Sequence, residues 1–245
     1  MEHTTINNYT LSLFLLFMRN KYTFLFSFLF ISIVTFGQYS TSKTEVRTNT
    51  NDVTSIQVDS VTLSKSSEML DEEMYWSIIE NSIKGTDNQE DQELFLISDI
   101  EKLSPQEMIG FRLRTDKLLF DSYNSDLWCA AYIVNDGCSD GGFEYFRCWL
   151  ISRGKEAFYS VKANPDTLIK HIVEGKESYE FEGFWYVAMN AFKNNTGEDL
   201  YAFIDYEKFI TNDENYPLLK FNWDVDDPQT MAILCPVLYK NLWKQ

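Results

Sequence analysis

Apolar residues fall at helical spacing along most of the chain beyond residue 70. Tyr75, Ile78, Ile79 and Ile83 follow one another at i, i+3 and i+4, which places them on one face of a helix that Asp71 can cap. Leu94, Ile97, Ile100 and Leu103 continue the period and predict a second helix. Ser104-Pro105-Gln106-Glu107 then combines an N-cap serine, a first-turn proline and a capping-box glutamate, which together deal with N–H groups that a helix start leaves unpaired. The helix it opens carries Met108, Phe111, Leu118 and Leu119 to about Tyr123. Leu127 to Val134 (LWCAAYIV) is apolar on every side and predicts a buried helix, with a strand as the alternative for so short a run.

Asn135 to Gly142 (NDGCSDGG) is a turn, after which Ser139 or Asp140 can cap a helix through Phe143, Phe146, Trp149 and Leu150. If 127–134 and 143–159 pack as an antiparallel hairpin, Cys129 and Cys148 stand at equal height about its midpoint, and a disulfide between them is possible where the rotation of each helix allows it. Asn164-Pro165 opens a shorter helix with Leu168, Ile169 and Ile172, and Glu182 to Lys193 forms another, closed by Asn195 to Gly197. Leu200 to Ile204 reads as extended, Tyr216-Pro217 as a turn, and Asp227-Pro228 as the start of a final helix interrupted at Pro236. The fold class expected is mainly α, a compact multi-helix orthogonal bundle with an irregular C-terminal tail.

The amino end follows another pattern. Tyr22 to Phe36 is an apolar block of 15 residues, preceded by Arg19 and Lys21 and followed by Gly37 and Gln38. Charged, apolar and small-residue zones in that order mark a secretory signal, and the block is short for a membrane span, which needs about 20 residues. Residues 1–37 are therefore expected to be a signal segment, with Met18 as the start and cleavage near Gly37/Gln38. The product would be exported, periplasmic or extracellular, and soluble, touching a membrane only through an uncleaved signal. Residues 38–66 hold twelve Ser or Thr in 29 positions and read as a flexible spacer.

Composition narrows function mainly by exclusion. The 245 residues carry 21 Lys and Arg against 37 Asp and Glu, a formal net charge of -16, so no nucleic-acid partner is expected. There is no Gly-rich phosphate loop. His171 is the only histidine outside the signal segment, and Cys129, Cys138, Cys148 and Cys235 contain no CxxC, which leaves a zinc site or a His-based triad poorly supplied. The acids Asp126, Asp136, Asp140 and Glu144, with Arg147 one turn on, form the one chemical constellation. Asp126, Asp140, Glu144 and Arg147 are the catalytic candidates for carboxylate chemistry, and Asp136, Asp140 and Glu144 could hold calcium or magnesium. The plainer reading has Asp126 and Asp140 leading helix starts and Arg147 pairing with an acid. No cofactor is otherwise expected. Phe181, Phe184, Trp185 and Tyr186 form a dense aromatic run whose exposure would suggest a protein or carbohydrate partner.

The run SDLWCAAYIVNDGCSDGGFEYFRCWLISRGKEAFYSV, Ser125 to Val161, and the opening DEEMYWSIIENS from Asp71 resemble the bacterial DUF4240 domain family. The likeness spans roughly residues 70–245 and implies a compact, mainly α-helical domain. It implies no activity, because the family is one of unknown function. The combined expectation is an exported helical domain acting as a non-enzymatic binding or interaction module. The alternative is a carboxylate- or divalent-metal-dependent hydrolase using the acidic loop.

Overall fold

The computed structural model describes residues 63–176 and 178–243, so the expected signal segment and all but the last four residues of the expected spacer lie outside the described residues. The fold is mainly α. Among the described residues the helices are α1 (Glu72–Gly85), α2 (Gln89–Ile100), α3 (Pro105–Asp121), α4 (Ser125–Val134), α5 (Asp140–Ser152), α6 (Lys155–Ala163), α7 (Glu182–Thr196), α8 (Pro228–Leu234) and α9 (Pro236–Leu242). Short 3-10 helices lie at Pro165–His171, Leu200–Phe203 and Asp213–Asn215. None of the helices among the described residues is long and apolar enough to cross a membrane.

Local polar residues set the helix starts. Asp71 accepts the Met74 N–H at 3.0 Å. Ser104 and Glu107 form the reciprocal capping box of α3, with the Ser104 N–H reaching Glu107 Oε2 at 2.9 Å. Asn88, Asn124 and Ser139 cap α2, α4 and α5 in the same way. One cap comes from far along the chain: the Asp166 carboxylate accepts the Val237 and Leu238 N–H groups at 2.9 Å, closing the amino end of α9. Once started, the helices bury their apolar faces on one another. α7 packs against α2, α3 and α5 and contributes Phe184, Val187, Ala188, Ala191 and Phe192 to the core.

Several expectations are corrected by tertiary context. Leu94 is 66% exposed, and the buried face of α2 is instead Gln92, Leu96 and Ile100. A polar residue can occupy that face because the Gln92 amide donates to Ser82 Oγ and to the Ser152 carbonyl, both at 3.0 Å. The helix expected through Tyr159 breaks at Gly154, whose φ of 94° is open to glycine and strained for other residues, so α5 and α6 are separate. Leu200–Phe203 is a 3-10 turn rather than extended. The packed chain also begins earlier than residue 70. The Ser66 N–H donates to the Phe203 carbonyl at 2.9 Å and the Ser66 carbonyl accepts from Asp205 at 2.8 Å, a parallel bridge to Ile204 whose partner the local pattern could not reveal.

The possible Cys129–Cys148 disulfide is not formed in the structure, where all four cysteines are free. Equal height in a hairpin leaves helix rotation open, and rotation decides the matter. Cys129 lies against Cys235, whose thiol pKa is raised by that hydrogen-bonded contact and by burial. Cys148 is buried on α5 within the electrostatic reach of Arg147, Glu144, Arg112 and Asp116, and burial pushes its thiol up to about 12.

Gly110 gives the fold a testable close approach. Its carbonyl accepts the Leu70 N–H at 2.9 Å, and a Cβ at Gly110 would lie 2.8 Å from that same nitrogen. Alanine would gain about 1 kcal/mol of helix propensity, but the clash is with backbone on both sides. Gly110→Ala is therefore expected to lower stability by about 1–3 kcal/mol net in urea unfolding; a stabilised variant would refute the packing argument.

Candidate functional site

The acidic loop disperses in three dimensions. Asp126 sits in the first turn of α4 and accepts the Asn222 amide at 2.9 Å, tying the C-terminal tail to the helix start. Asp136 is exposed at a backbone φ of 53°, turning the chain after α4. Asp140 is the exposed first residue of α5, whose cap is Ser139. Glu144, one turn further along α5, has its side chain 26% exposed and 4.0 Å from Arg147. Among the described residues no group of three or more His, Cys, Asp or Glu is arranged to hold a metal ion, and Asp136, Asp140 and Glu144 do not form one.

Arg147 is the member of the set with the most partners, and all of them are internal. It is 1% exposed, donates to the carbonyls of Phe143 at 3.3 Å and Leu119 at 2.5 Å, and reaches the Tyr216 hydroxyl at 3.0 Å. The rings of Phe143, Tyr216 and Tyr123 surround its guanidinium at 4.7 to 5.1 Å, with Tyr123 and Tyr216 stacked on each other. A second buried arginine, Arg112, is 2.7 Å from Asp116, donates to the Trp185 carbonyl at 2.7 Å and lies 3.9 Å from the Trp185 ring. Burial pushes the Asp116 carboxyl up to about 6, against the pull of Arg112. Burial also raises Glu144, with Arg147 pulling the other way. Perturbed groups often mark active sites, but here the donors and acceptors are largely spent on the scaffold. Of the aromatic run, Phe181 and Phe184 are buried while Trp185 and Tyr186 are half-buried, with the Trp185 ring 3.9 Å from the Arg112 guanidinium.

An open cleft of about 560 Å³ lies elsewhere, where the start of α2 meets the end of α5 and the residues Val173, Lys176, Ser178 and Glu180. Arg153 and Lys176 both line it. The guanidinium is held along one edge, Nε and Nη2 donating to Ser152 Oγ at 3.2 and 3.0 Å while Nη2 also reaches Gln92 Oε1. Lys176 Nζ donates to Gln89 Oε1 at 2.6 Å, and Gln89 in turn donates to the Glu180 carbonyl at 2.9 Å. Neither cation has a carboxylate within ion-pairing distance among the described residues. Burial lowers the pKa of both, and Arg153 lowers Lys176 further, against the pull of Glu90.

A family model described as a protein of unknown function, DUF4240, matches residues 70–194, just over half of the chain. The chain belongs to the DUF4240 family. No curated protein matches the chain, and no solved structure does. The DUF4240 match runs from the N-cap region of α1 to within two residues of the end of α7, shorter than the 70–245 read from the sequence. Every residue lining the Arg153–Lys176 cleft falls inside that matched segment, whereas Tyr216, Asn222 and the rest of the tail fall outside it.

Sequence reasoning thus placed Arg147 and Glu144 together, with Arg147 pairing with an acid as the plainer reading, but it missed the cleft. Its lining residues are spread from 83 to 180, so no spacing signal joins them. The one local hint was SRG at 152–154, a cation beside a helix-ending glycine.

Two outcomes test the buried centre. Arg147→Lys is expected to cost at least about 2 kcal/mol, because an ammonium cannot serve two carbonyls and a hydroxyl in fork geometry, whereas Tyr216→Phe costs about 1 kcal/mol. Urea unfolding checks both, and equal costs would argue against a guanidinium hub. The second concerns pH. A carboxyl raised in the folded state contributes stability below its ordinary unfolded pKa and loses it as pH rises through the folded value, so Asp116 favours folding at pH 5 relative to pH 7.5. His171, which burial lowers, pulls in the opposite sense, but it is common to both proteins in a comparison with Asp116→Asn. The variant should lose stability relative to wild type by more at pH 5 than at pH 7.5.

Proposed function

We propose that this DUF4240 protein is an exported binding module that takes a small polar ligand into the cleft lined by Arg153 and Lys176. One observation carries the reading: two half-buried cations share an open cleft without a carboxylate partner among the described residues, while the groups of the acidic loop are engaged in turns, tail contacts and the Arg147 hub. Clefts of several hundred Å³ with a few convergent polar groups are the usual form of small-ligand sites. Export is supported by the charged and apolar order of Arg19, Lys21 and Tyr22 to Phe36.

The rival hydrolase would have to draw on Glu144, whose carboxyl burial raises. Its nearest described cation, Arg147, already serves two carbonyls and a tyrosine, Asp126 holds Asn222, and Asp136 and Asp140 are exposed. That arrangement favours the binding module.

Thermal unfolding of the purified protein against anionic, cationic and neutral small molecules tests the proposal. A ligand at about ten times its Kd stabilises by about 1.4 kcal/mol, which for a domain of this size is a rise of about 3–5 °C. Filling the cleft with Ser178→Trp should abolish that rise. Calcium, magnesium and EDTA are expected to leave the midpoint within about 1 °C, since the described acids offer no metal cluster. If no compound raises the midpoint, or if Ser178→Trp leaves the rise intact, the cleft is not the binding site.

A further inference from the structure

We propose that the cleft is a site for a small organic carboxylate that also carries hydroxyl or ammonium donors. The inference rests on the binding reading above and assigns its ligand class.

Some cations of this acidic chain have acids at hand, as Lys102 has Asp99, Lys117 has Asp121 and Lys155 has Glu73, while others such as Arg114 meet only a carbonyl; what sets Arg153 and Lys176 apart is that two such cations are half-buried and line one cleft. Arg153 and Lys176 hydrogen-bond only to neutral oxygens, those of Ser152, Gln92 and Gln89. These contacts orient the cations without neutralising them. Gln92 is fixed by its own bonds to Ser82 and Ser152, so it holds the Nε–Nη2 edge of the guanidinium in place. Nη1 has no hydrogen-bond partner among the described residues, and Lys176 has one of its three donors engaged. A carboxylate set between them would receive charge-assisted bonds from both, and partial burial strengthens such bonds. The amino end of α2 at Gln89 adds field of the same sign.

The remaining lining selects among anions. Asp87, Glu90 and Glu180 also border the cleft, and the Glu180 carboxyl is pushed up by burial and by Glu182. Three carboxylates repel a phosphate dianion more than a single carboxylate, and they offer acceptors to a ligand's hydroxyl or ammonium group. Ile83 and Val173 supply an apolar flank for a short carbon skeleton. The donors and acceptors of the cleft therefore match a sugar acid, a hydroxy acid or an amino acid better than an inorganic oxyanion.

Isothermal titration of the full protein with gluconate, lactate, free alanine, sorbitol and orthophosphate, each at millimolar concentration, tests this. Saturable binding is expected for at least one of the three carboxylates and for neither sorbitol nor orthophosphate. Arg153→Gln and Lys176→Gln should each weaken it at least about tenfold, the loss of one charge-assisted bond. Lys176 stands on an irregular segment, so Lys176→Gln remains readable if Arg153→Gln lowers stability. Orthophosphate binding in preference to every carboxylate, or unchanged affinity in both variants, would overturn the assignment. So would a neutral or cationic ligand found in the cleft by the thermal screen with all three carboxylates inert, and that result would leave the binding reading standing. Silence in both experiments would remove both.

Discussion

A buried guanidinium is tolerable only where its donors meet acceptors, and Arg147 imposes that requirement on three parts of the chain at once. Its partners are the Phe143 carbonyl on its own helix, the Leu119 carbonyl in the last turn of α3, and the Tyr216 hydroxyl from the tail. Leu119 lies where a helix end has no further N–H to offer, so the arginine fills a deficit that α3 creates by stopping. Moving any one partner would strand a charge in the interior. The relative placement of α3, α5 and residue 216 is thus coupled through one side chain. Arg112 repeats the device with Asp116 and the Trp185 carbonyl, though less completely, because its buried Nε has no partner.

This constraint explains why the sequence could be read well along the chain and poorly across it. Caps are local: Asp71, Ser104 with Glu107, and Ser139 announce their helices within three or four residues, and each does so in the structure. The double break at Pro228 and Pro236 is equally local. Burial is different. Leu94 carries an apolar side chain at a plausible period yet stands in solvent, while Gln92 goes inside because Ser82 and Ser152, ten and sixty residues away, satisfy its amide. Ser66 pairs with the region of Ile204, and Asp166 caps a helix that starts at Pro236. No pattern confined to a window contains such partners.

The same division applied to the candidate chemistry. Glu144 and Arg147 share a helix turn, so their proximity was legible. That Arg147 turns inward depended on Leu119 and Tyr216, which the sequence could not bring to it. The pairing of the cysteines was open for a related reason: equal height in a hairpin was argued from spacing, but facing was set by what packs on each helix, Cys235 beside Cys129 and the Arg112–Asp116 pair near Cys148.

Two kinds of buried charge therefore coexist in this fold, and the contrast between them decides where function is sought. At Arg112 and Arg147 the protein supplies carbonyls, a carboxylate and aromatic faces, so most of the cost of burial is met from within and little is left for a ligand to gain. At Arg153 and Lys176 the hydrogen-bond acceptors it supplies are neutral oxygens beside an open cleft, and the described acids that border the cleft, Asp87, Glu90 and Glu180, stand outside ion-pairing distance of both cations. The first arrangement stabilises the folded chain alone. The second is stabilised further when an anion arrives, and a site that gains from its ligand is what a binding module requires.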